Sequence, residues 1–137
     1  MLDKALNLLA IAQKGGNIAI GEDPVGAAAH AGKARLLILA SDAADNTRRR
    51  ASVFGALHHT PVVSVDADKS HLGGMFGRSS VAMAALTEIR LAKSFLETLE
   101  EPERYGEALR QVSEKAEAIA RRKQTKPRRN RERGTRQ

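Results

Sequence analysis

The sequence predicts an α/β fold: a three-layer α/β/α sandwich around a four-stranded mixed sheet, with a C-terminal helical extension and a basic tail. Three observations lead there. Apolar periodicity switches repeatedly between helical and strand patterns over the first hundred residues. Within "ARLLILA", residues 34 to 40, everything after Arg35 is continuously apolar, as a strand covered on both faces is. Charge is also segregated. The chain carries +7, but residues 121 to 137 hold nine Lys or Arg and one Glu, a balance of +8, which leaves residues 1 to 120 at −1. With 137 residues and 42% hydrophobic content the chain can bury one core. The predicted units are the sandwich over 1–100, the helical extension over 101–122 and a disordered basic tail over 123–137, which has no apolar residue to bury.

Each element has its own signal. Leu2, Leu6, Leu9 and Ala10 recur every three or four residues, predicting a helix over about 2–14 that stops at Gly15-Gly16. "NIAI" is a short strand. Asp23 is expected to cap the next helix, with Pro24 at its first position, where no intrahelical donor is needed, and the helix runs to Gly32. After the central strand a third helix crosses Asp45 to His58, and "TPVVSV" is a strand with Pro61 at its start, where the missing donor is tolerated. Asp66 or Asp68 caps a short helix that is expected to end at Gly73-Gly74, and "SVAMAAL" is the last strand, with Met75 and Met83 read as core. "TEIRLAKSFLETLEE" adds a helix interrupted by Pro102. From Glu103 to about Arg122, Tyr105, Leu109, Val112, Ala116 and Ile119 form a heptad seam, expected to pack on the domain or a partner rather than to self-associate.

Several functions are disfavoured by composition. Aromatic content is 3% with no Trp, too little for a base-stacking platform. There is no Cys, hence no disulfide or thiol chemistry. The apolar runs are too short to span a bilayer and the first residues lack a signal-peptide pattern, so the expectation is a cytoplasmic protein without a membrane partner. No nucleophile elbow, metal motif or nucleotide loop orders the Ser, His and Asp residues, so no catalytic residue, metal or cofactor is predicted, and the protein is not expected to be an enzyme. His30, His58, His59 and His71 lack metal-ligand spacing.

From Gly21, "GEDPVGAAAHAGKARLLILASDAADNTRRR", then "TPVVSV", then "LGGMFGRSSVAMAAL" resembles the kink-turn RNA-binding family of the archaeal L-seven-Ae and eukaryotic L-thirty-e large-subunit ribosomal proteins, most of all its short bacterial YlxQ-like members. The resemblance covers about residues 3 to 99. It rests on the glycine before the second helix, the Gly32 to Arg35 entrance to the central strand, Asp42 at that strand's end, and the "NTRRR" helix start with Asn46. It implies an RNA site at one end of the sandwich, formed by Gly21, Glu22 and Asp23 and by a cover loop at Arg78, Ser79, Ser80 and Val81. The family commonly has Gly-Thr-Asn-Glu with Lys three residues later; this chain has Gly21-Glu22-Asp23-Pro24 and Ala27, losing an amide's two donors and a cation. A kinked motif and another structured, ribosomal RNA both remain open.

Around that site Arg48, Arg49 and Arg50 cannot all face one way, while Lys14, Lys33 and Arg35 are expected to extend a phosphate-contacting rim. Arg121, Arg122, Lys123, Lys126, Arg128, Arg129, Arg131, Arg133 and Arg136 supply nonspecific phosphate contacts. The expectation is a noncatalytic, ribosome-associated RNA-binding protein. The alternative is a protein-interaction adaptor using the 105–119 face, with the tail binding nucleic acid nonspecifically.

Overall fold

The computed structural model describes residues 2–136, with side chains as far as Lys123. Its elements run α1 (Leu2–Lys14), β1 (Ile18–Ile20), α2 (Glu22–His30), β2 (Leu36–Leu39), α3 (Asp45–Leu57), β3 (Val62–Ser64), α4 (Lys69–Met75), β4 (Met83–Leu86), α5 (Ile89–Leu99) and α6 (Pro102–Arg136). The four strands form one mixed sheet in the order β1-β4-β2-β3, with β2 and β3 parallel and β4 antiparallel to both β1 and β2. The predicted α/β/α sandwich is therefore present.

The continuously apolar strand divides its side chains as a doubly covered strand must. Leu36, Ile38 and Ala40 enter one core with Leu6 and Leu9 of α1, Phe95 and Leu96 of α5, and Leu72 of α4. Leu37 and Leu39 enter the other with Val25 of α2 and Ala51 of α3. Period-two alternation places them on opposite faces, and neither face meets water.

α6 completes the first core. Tyr105, Ala108 and Val112 are buried in it, and Leu109, Ala116 and Ile119 pack against it half-buried. The seam is thus spent on its own domain, and the extension shares the sandwich's core. Burying residues such as Tyr105 and Val112 contributes about 1.5–3 kcal/mol each. The pairs of Arg110 with Glu107 and Glu114 are exposed and screened by solvent, so packing rather than surface charge fixes where α6 lies. Its first turn is also pinned. The Tyr105 hydroxyl donates to the Ser64 carbonyl oxygen (2.7 Å), and Arg104 donates to the same oxygen (3.0 Å) and to Asp66 Oδ2 (2.8 Å). That hydrogen bond from Arg104 holds the Asp66 carboxyl below the usual carboxylate range, while burial pushes the Tyr105 phenol up. Over the tail expected to be disordered from 123 to 137, α6 continues as far as Arg136, and the side chains beyond Lys123 lie outside the described set.

Two glycine readings separate. Gly15-Gly16 does end α1, with Gly16 left-handed at φ 71. Gly73-Gly74 does not end α4, which continues through both to Met75. The reason is close packing: a Cβ on Gly73 would lie 2.6 Å from the Ser80 backbone nitrogen, so glycine is there to let a loop approach the helix. Asp68, not Asp66, caps α4, accepting from the His71 N–H at 2.8 Å.

Candidate functional site

The ladder register puts the C-terminal ends of β1, β2 and β3 and the start of β4 at one end of the sheet, with Leu39 opposite both Met83 and Ser64. The turn into α2 and the loop before β4 meet there. β1 closes on Gly21, whose N–H donates to the Met83 carbonyl oxygen (2.9 Å) and whose backbone (φ 96, ψ 162) lies in a region open essentially to glycine alone. Gly21 is the N-cap of α2, its carbonyl accepting from Val25 at 3.0 Å, and no side chain caps the helix.

This corrects the expected role of Asp23. The helix begins one residue before it, so Asp23 lies in the first turn and its exposed carboxylate acts on the helix dipole rather than as a cap. Pro24 is the third helical residue instead of the first. The unpaired amides at this helix start are those of Glu22 and Asp23, since Pro24 has none.

The cover loop arrives from α4. Its turn uses Gly77 at φ 74; the Arg78 N–H donates to the Gly73 carbonyl oxygen (2.7 Å) and the Val81 N–H to that of Lys69 (3.0 Å). Arg78 then reaches across to β1, with Nη1 donating to the Ile20 carbonyl oxygen at 3.3 Å. Ser79 and Ser80 are exposed beside it. Val81 is not a surface residue: it is 3% exposed and belongs to the core, where it anchors the loop. Lys14 ends α1 next to Gln13, whose Nε2 donates to the Phe76 carbonyl oxygen (3.3 Å), so the last turn of α1 borders this loop.

The three consecutive arginines take three roles. Arg48 turns inward and ties the end of β2 to β3, donating to the Ala43 (3.1 Å) and Ser41 (2.9 Å) carbonyl oxygens and to Ser64 Oγ (3.1 Å). Arg49 is exposed. Arg50 pairs with Glu22 at 3.0 Å. A helix entrance without a cation of its own is therefore furnished by α3 and by the cover loop. The sequence places Arg50 near this site with its two neighbours but does not reveal its pairing with Glu22, because the pair joins residues 28 apart and the only signal is unlike sign.

Asp42 at this end accepts the Lys69 N–H (2.8 Å), which makes it a loop brace, and Asn46 lies exposed in the first turn of α3. Gly21, Glu22, Asp23, Asp42, Asn46, Arg48, Arg49, Arg78, Ser79 and Ser80 thus share one end. Arg35 does not. It precedes Leu36, which pairs with Leu86 in the row farthest from Gly21, and its N–H donates to Leu86, so Arg35 and Lys33 belong to the opposite end. Chemically, the Gly21 end offers two backbone donors and guanidinium groups from Arg49, Arg50 and Arg78, suited to phosphate oxygens or base-edge acceptors. Among the described residues no cluster of His, Cys, Asp or Glu could hold a metal ion, and no helix is long and apolar enough to cross a membrane.

No family model and no curated protein matches the chain. It does match solved structures; one is the structure of a protein with unknown function from Bacillus halodurans C, 24% identical with a TM-score of 0.65, the match covering 72% of this chain and 98% of that one. At that identity the likeness shows the fold alone.

Proposed function

We propose that the protein is a noncatalytic binder of structured ribosomal RNA, contacting it through the Gly21 corner and the loop before β4. The observation that supports this most is their convergence: Arg78 of the cover loop is hydrogen-bonded to the strand end that leads directly into the open first turn of α2. A fixed pair of amides beside guanidinium groups recognises a folded backbone and its base edges together. With Asp23, Pro24 and Ala27 offering no cationic or amide side-chain donor, the donors for RNA come from Arg49, Arg50 and Arg78, so a kinked motif is gripped from α3 and the cover loop rather than from α2. The cationic segment 121–137 adds affinity without choice of sequence. An adaptor function through 105–119 is the weaker reading, because Tyr105, Ala108 and Val112 are already buried within the domain.

The test is competition binding with the chain ended after Ala120. It should prefer a folded ribosomal RNA fragment over a duplex of equal length, and Arg49→Ala with Arg78→Ala should weaken that binding tenfold or more, about 1.4 kcal/mol. Equal affinity for both RNAs would remove the proposal.

A further inference from the structure

We infer that the end of the domain opposite the Gly21 corner is a second phosphate-binding surface, made by Lys33, Arg35, Lys115, Arg121, Arg122 and Lys123, which holds the backbone of a separate RNA duplex. The inference takes its RNA partner from the proposed function, but the surface is located independently, by the course of α6.

α6 starts at the Gly21 end, where Arg104 and Tyr105 hold Ser64 at the end of β3. Further along, Gln111, Glu114 and Lys115 line an open groove of about 690 Å3 with Gly55, His59, Thr60 and Val62, which come from the end of α3, the turn after it and the beginning of β3. α6 therefore runs antiparallel to β3 and carries its later residues to the other end of the domain. Thr60 continues the connection, since its Oγ1 donates to the Ala34 carbonyl oxygen (3.2 Å) and so sets the 33–35 stretch beside the groove. Lys33 and Arg35, misplaced for the first site, are well placed for this one. Arg121, Arg122 and Lys123 are exposed on the next turns of α6, and the sequence continues with six more cations before Gln137.

Charge changes sign along α6. Around its first turn Glu100, Glu101 and Glu103 gather with Asp66 about a single Arg104. Towards its far end Glu114 is paired with Arg110 at 2.7 Å, and beyond it the sequence holds two carboxylates, Glu117 and Glu132, against Lys115 and the nine Lys and Arg from Arg121 on. Of the two ends of α6 itself, only the far one attracts a polyanion; at the near end the cations come from α3 and the cover loop instead. From Tyr105 to Arg121 the helix rises about 24 Å at 1.5 Å per residue. That is some three Debye lengths at about 0.15 M salt, so the two ends act as electrostatically separate sites. One short RNA element does not reach both.

The full chain is titrated with a fluorescent RNA duplex of arbitrary sequence across a salt series. Lys33→Ala/Arg35→Ala/Lys115→Ala and, separately, Arg121→Ala/Arg122→Ala/Lys123→Ala should each lower the slope of log K against log salt by about 2–3, near 0.9 per lost contact, and weaken duplex binding at least tenfold. Arg49→Ala/Arg78→Ala should leave that slope in place. One equivalent of unlabelled folded ribosomal fragment, which the Gly21 corner takes up in preference, should not release the labelled duplex. Unchanged slopes in the two triple variants, a corner variant that lowers the slope as much as they do, or release of the duplex by the folded fragment would each overturn the inference. Loss of preference for folded RNA with the far-end slopes behaving as stated would defeat the proposed function while upholding this surface.

Discussion

Replacing the two adjacent glycines of α4 one at a time should move stability in opposite directions. At Gly73 a Cβ would sit 2.6 Å from the Ser80 backbone nitrogen, 2.8 Å from the Arg78 carbonyl oxygen and 2.8 Å from the Ser79 carbonyl carbon. Ordinary contact between such atoms is about 3.5 Å, so the loop must recede by roughly 1 Å. The obstacle is backbone, which has no rotamer to change. Overpacking of this kind costs about 1–3 kcal/mol. The retreat also stretches the 2.7 Å hydrogen bond from the Arg78 N–H to the Gly73 carbonyl oxygen, worth about 0.5–1.5 kcal/mol, giving about 2–4 kcal/mol in all. At Gly74 a Cβ meets nothing within 4 Å, and alanine there should gain up to about 0.5–1 kcal/mol by restricting the unfolded chain. Urea denaturation of Gly73→Ala and Gly74→Ala reads both numbers. RNA titration should show the first variant also losing binding, because the displaced segment carries Arg78. If Gly73→Ala proves as stable as Gly74→Ala, the close approach of loop to helix, and with it the rigid placement of Arg78, is wrong.

Tyr105→Phe should cost about 0.5–1.5 kcal/mol at neutral pH, since it removes one of the donors to the Ser64 carbonyl oxygen. Burial holds the Tyr105 phenol above its ordinary value of 10.0, so the unfolded chain loses that proton first; stability present below pH 10 declines as pH rises through the folded value, and the phenylalanine variant should lack that alkaline decline in a melting series. Asp66 behaves in the opposite sense: the Arg104 hydrogen bond lowers its folded value below 3.8, so its contribution is complete above that pH and is lost on acidification, and Asp66→Asn should flatten the acid limb of the same series. Val112→Ala should cost about 2 kcal/mol in urea denaturation because Val112 is 1% exposed in the shared core; an unchanged midpoint would mean that α6 does not dock there.

The architecture was legible because it is written in local periodicity. The run from Leu36 to Ala40 reads as a strand covered on both faces whatever surrounds it, and the seam from Tyr105 to Ile119 announces a helix with one buried side. What escaped the sequence were features set by partners distant along the chain. Asp23 looked like a cap because residue type and the neighbouring proline favour it locally, but Gly21 bonds to Met83 and starts the helix earlier. Gly73-Gly74 looked like a stop because glycine usually is one, whereas the loop against Gly73 comes from Arg78 to Ser80. Val81 reads as a contact residue of the cover loop, yet its apolar side chain turns inward, and Arg35 is grouped with the Gly21 end because residue order does not reveal at which end of the sheet a strand begins. At the candidate site the glycine corner and Arg78 were found from sequence; the pairing of Glu22 with Arg50 needed three dimensions.

Ser64 takes hold of two neighbours at once, its carbonyl receiving Arg104 and Tyr105 and its hydroxyl receiving Arg48. The last helix and the segment bearing Asp42 are therefore fastened to the same post. Trimming the chain at Pro102 would not simply take off an ornament: it would slacken the post, and the arginine bracing that segment would lose part of its footing.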